Sequence, residues 1–289
     1  MKSVGMAMAL MAASAVLDAG CAQPVVLWET TGLKTPESAL PVSAEGFAYV
    51  SNVAGNPTDK DGNGFISKVS LADGKVIALE WAKGMDAPKG LALAGGKLYT
   101  ADIDKLVEID PKSGKIIAKY DAPGATFLND VAVDAKGDVY VSDSNTSTIW
   151  KLSGGKLEKW IDDPALKFAN GLYVDGDKLI VAAWGAPGTS AKKTSEPSNL
   201  LAISLADKKI TDLGDGTPVG NLDGIEPIGD DFLVTDWVAG ALYRIDRKGK
   251  ATQLLDLDQG SADIGYVPET GLLLIPMMMS DKLVAYKVQ

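Results

Sequence analysis

The chain has 289 residues, 46% of them hydrophobic and 23% charged, which argues against disorder and supplies the core of one large domain. Its formal charge of −10, from 38 acidic and 28 basic residues with no basic cluster, argues against nucleic acid and anionic membrane surfaces as partners. Histidine is absent, which excludes Ser-His-Asp and Cys-His catalysis and nearly every zinc site, so any chemistry falls to carboxylates, amides or lysine.

The first expected element is an export signal. Lys2 precedes an uncharged run from Ser3 to Leu17, followed by the small residues Ala19, Gly20, Cys21 and Ala22. Cleavage after Ala22 leaves residues 23–289 as a single periplasmic or secreted domain. Ala19-Gly20-Cys21 also resembles a lipobox with Cys21 as the lipidation site, but Asp18 stands where that motif wants an apolar or small residue. A membrane-spanning helix needs about 20 apolar residues, more than this run or any later one provides. Cys21 is the only cysteine, so the mature chain has no internal disulfide.

A strand-like phrase then recurs six times, beginning at Tyr49, Tyr99, Tyr140, Ile180, Leu233 and Leu274, with spacings of 50, 41, 40, 53 and 41 residues. That period matches the roughly 40 to 45 residues of a four-stranded propeller blade. Ten to twelve residues before each phrase, a polar residue opens another apolar strand: Glu37, Lys89, Asn129, Asn170, Asp223 and Asp263. Gly, Asp and Asn between the two strands supply hairpin turns. A third strand follows, then a fourth that often ends in an aromatic such as Trp81, Tyr120 or Trp160. The last repeat lacks its fourth strand, and Val25-Val26-Leu27-Trp28 has the look of it. The predicted fold is an all-β, six-bladed propeller of four-stranded blades, the last closed by the N-terminal strand, which removes free sheet edges.

The first strand of each blade lines the axis, so the six opening residues are expected to ring one mouth of the channel. The turn after the second strand returns to that face and is expected to bring Asn52, Asp102, Asp143, Trp184, Asp236 and Trp237 around it. Two long insertions, Ala54 to Gly64 and Gly185 to Ser198, would cover the same mouth. Two carboxylates and two amides offer only oxygen ligands, the set for calcium or magnesium and, among transition ions, manganese.

These residues resemble the senescence marker protein, gluconolactonase and luciferin-regenerating enzyme family, which also contains calcium-dependent organophosphatases. The resemblance implies metal ligands at Glu37 in Pro36-Glu37-Ser38, Asn170 in Asn170-Gly171-Leu172 and Asp223 in Asp223-Gly224, with Asn129 of Asn129-Asp130-Val131 touching substrate or completing the metal shell. It also implies calcium first, with magnesium or manganese as alternatives. The usual Glu-Gly-Pro opening is replaced by Glu37-Ser38-Ala39, and Lys89 brings a cation to the ring.

Asp59-Lys60-Asp61-Gly62-Asn63-Gly64 copies the start of an EF-hand loop, but its twelfth position is Ser70 and its flanks read as strands. Leu152-Ser153-Gly154-Gly155-Lys156 and Gly95-Gly96-Lys97 lack the context of phosphate loops, which argues against nucleotide binding. Two functions follow from the ring. One is a monomeric, metal-dependent hydrolase of a small lactone or related ester, with Asp223 as the base. Asn129, Lys89, Asp263, Trp184 and Trp237 would then contact substrate. The other is a non-catalytic exported propeller that binds a small molecule or a protein, with the cation bracing the ring.

Overall fold

A computed structural model describes residues 23–190 and 193–289; the expected export signal and Cys21 lie outside the described residues. Six four-stranded antiparallel sheets form a ring of blades, with almost no helix. The innermost strands are Pro36–Val42, Pro88–Ala94, Leu128–Val133, Ala169–Asp175, Leu222–Ile228 and Gly265–Val267. Each lies beside the inner strands of the neighbouring blades, and the sixth meets the first. Val25–Thr31 pairs antiparallel with Lys282–Lys287, so the N-terminal strand completes the last blade as the repeat implied.

The blades read as apolar on both faces because each sheet is sandwiched between two others. Six apolar clusters sit at the six joints between neighbouring blades. Leu106, Val141 and Trp150 are in the second joint, for example, and Leu233, Leu273 and Ile275 in the fifth. Burying each such side chain contributes about 1.5–3 kcal/mol, and no disulfide is needed. The aromatics of the outer strands belong to this packing. Trp81 lies 4.9 Å from Tyr49, Trp160 lies 4.9 Å from Tyr140, and Trp28 donates its indole N–H to the Leu71 carbonyl.

One local irregularity positions the channel side chains. In five blades the pairing between first and second strands slips, between Pro36 and Ala39, Pro88 and Leu91, Leu128 and Val131, Ala169 and Leu172, and Leu222 and Ile225. Each slip is a β-bulge, which bends the strand and re-aims its side chains. The residues inside the bulges are Glu37-Ser38, Lys89-Gly90, Asn129-Asp130, Asn170-Gly171 and Asp223-Gly224. A bulge frees a backbone N–H, and second-strand hydroxyls accept it: Ser51 from Ser38, Ser142 from Asp130 and Thr235 from Gly224, each at 2.9 Å. Ser142 and Thr235 then donate to the Asn170 and Ala262 carbonyls of the next blade, so the recurring Ser or Thr ties neighbouring blades together.

Candidate functional site

Five bulge residues, Glu37, Lys89, Asn129, Asn170 and Asp223, converge as expected, and all five are buried. Four of them, with Lys89, border a cavity of about 330 Å³ whose walls come from Pro57, Phe127, Phe168, Trp184, Trp237 and Met278. Wall and floor follow one rule. The residue two before the bulge pairs with the residue just after the second strand: Ser144 N–H donates to Phe127, Trp184 to Phe168, and Met278 to Gly260. Pro57 arrives from the Ala54 to Gly64 insertion, and Gly185 from the other insertion also borders the cavity.

The polar floor is organised by a chain of amides. Asn129 Nδ2 donates to Ser144 Oγ at 3.1 Å and to Asn170 Oδ1 at 2.5 Å, and the Asn170 amide in turn donates to Asp223. Three buried oxygens from three blades remain without any partner: Glu37 Oε2, Asn129 Oδ1 and Asp223 Oδ1. Leaving such atoms unsatisfied costs about 1–3 kcal/mol each, more for charged groups, so their coincidence in one cavity calls for a ligand. Burial, reinforced by Asp223 and Asp263, holds Glu37 well above the usual carboxylate range. Burial and Asp263 do the same to Asp223, against the Asn170 hydrogen bond.

Lys89 is 1% exposed and enters no salt bridge among the described residues. Its ammonium donates to the carbonyls of Pro57 and Ala87, both at 3.1 Å, and sits 4.6 Å from the centre of the Phe127 ring. Burial lowers its pKa to about 8, while the charges of Glu37 and Asp102 oppose that fall. An ammonium has three N–H donors, so one remains for a ligand.

Asp263 stands elsewhere. Ser261 bridges to Met277, as Leu222 pairs with Asp236 and Ala169 with Ala183, so the residue equivalent to Asp223 and Asn170 is Ala262. Asp263 falls one position further, beside Ser38, whose hydroxyl donates to it at 2.5 Å. A one-residue offset turns a strand side chain to the opposite side. Asp263 therefore joins Asp130 and Glu226 around a second cavity of about 230 Å³ and does not border the first.

Asn52, Asp102, Asp143 and Asp236 also leave the mouth. Their side chains accept backbone N–H groups, from Lys34 at 2.9 Å, Ala87 at 2.8 Å, Thr126 at 3.0 Å and Val238 at 3.0 Å, and so hold the turns in place. The EF-hand-like loop is likewise engaged in its own folding: Asp61 accepts from Asn63 N–H, and Lys60 pairs with Asp104. Pro57 comes from the insertion expected over this mouth, whereas Phe127, Phe168, Ser144, Asn145 and Met278 border the cavity without having been foreseen. For Phe127, Phe168, Ser144 and Met278 the signal was available only as an offset, two residues before the opening residue or one after the second strand.

Among the described residues there is no group of three or more His, Cys, Asp or Glu side chains arranged for a metal. The floor instead offers Glu37 and Asp223 with the amide oxygens of Asn129 and Asn170, three of the four residues keeping an oxygen unpartnered. This all-oxygen set fits a hard divalent cation, whose positive charge would offset the burial, and then the neighbouring carboxylates, that raise Glu37 and Asp223.

An NHL repeat model matches residues 126–152, which cover the third blade's first strands. No curated protein matches the chain by sequence. Among solved structures, a gluconolactonase from Xanthomonas campestris superimposes with a TM-score of 0.68 at 14% identity, covering 93% of this chain and 96% of that one. A streptogramin B lyase gives 0.62 at 12% identity, over 92% and 97% of the two chains. A virginiamycin B lyase from Staphylococcus aureus gives 0.62 at 15% identity, over 90% and 98%. A further structure of that lyase carries a histidine-to-alanine change described as catalytically inactive. At these identities the likeness shows the fold.

Proposed function

We propose that this propeller is a hydrolase of the lactonase type, opening a small lactone or related ester with a divalent cation held at Glu37, Asn129, Asn170 and Asp223. Calcium is the first choice, with magnesium or manganese as alternatives. The observation that carries this reading is the meeting of three unpartnered buried oxygens, from Glu37, Asn129 and Asp223, on the floor of one cavity. The cation, when bound, supplies Lewis-acid polarisation of a carbonyl oxygen. Asp223 would take the proton of the attacking water and return it to the ring oxygen as the acyl C–O bond breaks, while the Asn129–Asn170 amide chain fixes its carboxylate. The remaining Lys89 N–H donates to a carbonyl or carboxylate oxygen of the substrate, and Trp184 and Trp237 close the cavity against bulk water.

A gluconolactonase and two lyases share this fold. One lyase is described as inactive once a histidine is replaced, and this chain has none. Hydrolysis through a carboxylate is therefore favoured over that lyase chemistry. Export through residues 1–22 and a monomeric state belong to the same proposal. Intact mass of the mature protein distinguishes a start at Gln23 from a lipidated Cys21.

The test is to strip the protein with a chelator, restore calcium, magnesium or manganese in turn, and assay a panel of lactones and phosphotriesters. We expect turnover to vanish and return with the metal. Asp223→Asn should lower kcat by on the order of 10²–10⁴ while the near-ultraviolet circular dichroism is unchanged. Tight metal binding without turnover of any ester would make the chain a binding propeller instead.

A further inference from the structure

We infer that the cavity selects lactones or esters bearing an apolar alkyl or aryl group over polyhydroxylated sugar lactones, an inference that rests on the hydrolase reading of the same site. The wall above the ring residues is built from Pro57, Phe127, Phe168, Trp184, Trp237 and Met278. Several of its polar groups are already engaged. The Trp237 indole N–H points at Met278 Sδ, 3.2 Å away, and Ser144 Oγ donates to the Ala169 carbonyl while accepting from Asn129. Lys89 uses two of its donors on Pro57 and Ala87, and Asn145 stands exposed at the rim.

A sugar lactone carries several hydroxyls that leave water on entry. This largely apolar wall returns hydrogen bonds to only some of them, and the rest would be desolvated without partners. An alkyl or aryl group loses nothing on leaving water and meets aromatic carbon on most sides. Trp184 and Trp237 also lean on each other, with ring centres 5.8 Å apart and planes at 49°, which makes one continuous apolar corner. Phe168 holds its ring in the wall at a backbone φ of +60°, a conformation that bulky side chains rarely adopt. A volume of about 330 Å³ suits a six-membered lactone with a short chain.

The experiment compares δ-valerolactone, its butyl-substituted homologue δ-nonalactone, and glucono-1,5-lactone on the calcium-loaded protein. We expect kcat/KM for δ-nonalactone to exceed that for the parent by on the order of tenfold or more, with gluconolactone below the parent. In Trp184→Ser and Phe168→Ser the ratio of nonalactone to parent should fall toward one. The matching lactams, followed by quenching of tryptophan fluorescence with and without calcium, give an activity-independent readout. Gluconolactone processed as well as nonalactone would overturn the inference and leave the hydrolase reading standing. Tight binding of the alkyl lactam with no lactone turnover would do the reverse. Binding of the sugar lactam as tightly as the alkyl lactam, or of neither, would also overturn the inference.

Discussion

Glu226, Asp130 and Asp263 surround the second cavity, on the side of the channel away from the aromatic wall. Burial first, and then the charge of Asp263, raises the pKa of Glu226 to about 8. The folded chain therefore binds a proton there more tightly than the unfolded chain does. The stabilisation this provides is present in full below the ordinary glutamate pKa and is lost as pH rises through about 8. Glu226→Gln removes the titration. The urea midpoint of the wild type should accordingly fall relative to that of the variant between pH 5 and pH 8, and parallel profiles would contradict the assignment. The same scale shows why side chains of one chemical type divide into roles. Asp223 keeps an unpartnered oxygen over the cavity, whereas Asp102 and Asp143 have theirs filled by backbone N–H groups.

The recurring element is a bulged inner strand, a second-strand hydroxyl and, in three blades, a glycine. Glycine follows the opening residue at Gly90, Gly171 and Gly224 because the neighbouring inner strand passes against its backbone. A Cβ on Gly171 would lie 2.0 Å from the Asp223 carbonyl oxygen, and one on Gly90 would lie 2.5 Å from Asp130 Cα. Gly171→Ala must therefore push apart the strands that carry Asn170 and Asp223. We expect a loss of about 1–3 kcal/mol in urea unfolding, together with weaker metal binding in a calcium titration. Unchanged values for both would mean the blades adjust freely. Ser142→Ala leaves the buried Asp130 N–H and Asn170 carbonyl short of a partner, and should cost about 1–3 kcal/mol by the same measurement.

Closure of the ring is a property of the whole molecule, since Val25–Thr31 and Lys282–Lys287 lie at opposite ends of the chain. Deleting residues 25–31 bares the edge of the last blade, which then invites pairing with other chains. We expect light scattering to show self-association of the truncated protein at concentrations where the full domain stays dispersed. The blade count, the N-terminal closure and the five converging residues were legible because strand alternation and turn chemistry are local and recur at a fixed period. Asp263 was misaligned because the sixth inner strand is only Gly265–Val267, and sequence spacing does not show which residue enters a bulge. Phe127 and Phe168 escaped notice because nothing local marks an aromatic that becomes a wall only beside four other blades. By itself the sequence determined the repeat and the supply of oxygen ligands without histidine, since both are matters of residue type and interval. Which oxygens lack partners, and which aromatic carbons surround them, was decided only by the tertiary structure, because those relations join residues from different blades, dozens of positions apart or more, through the closure of the ring.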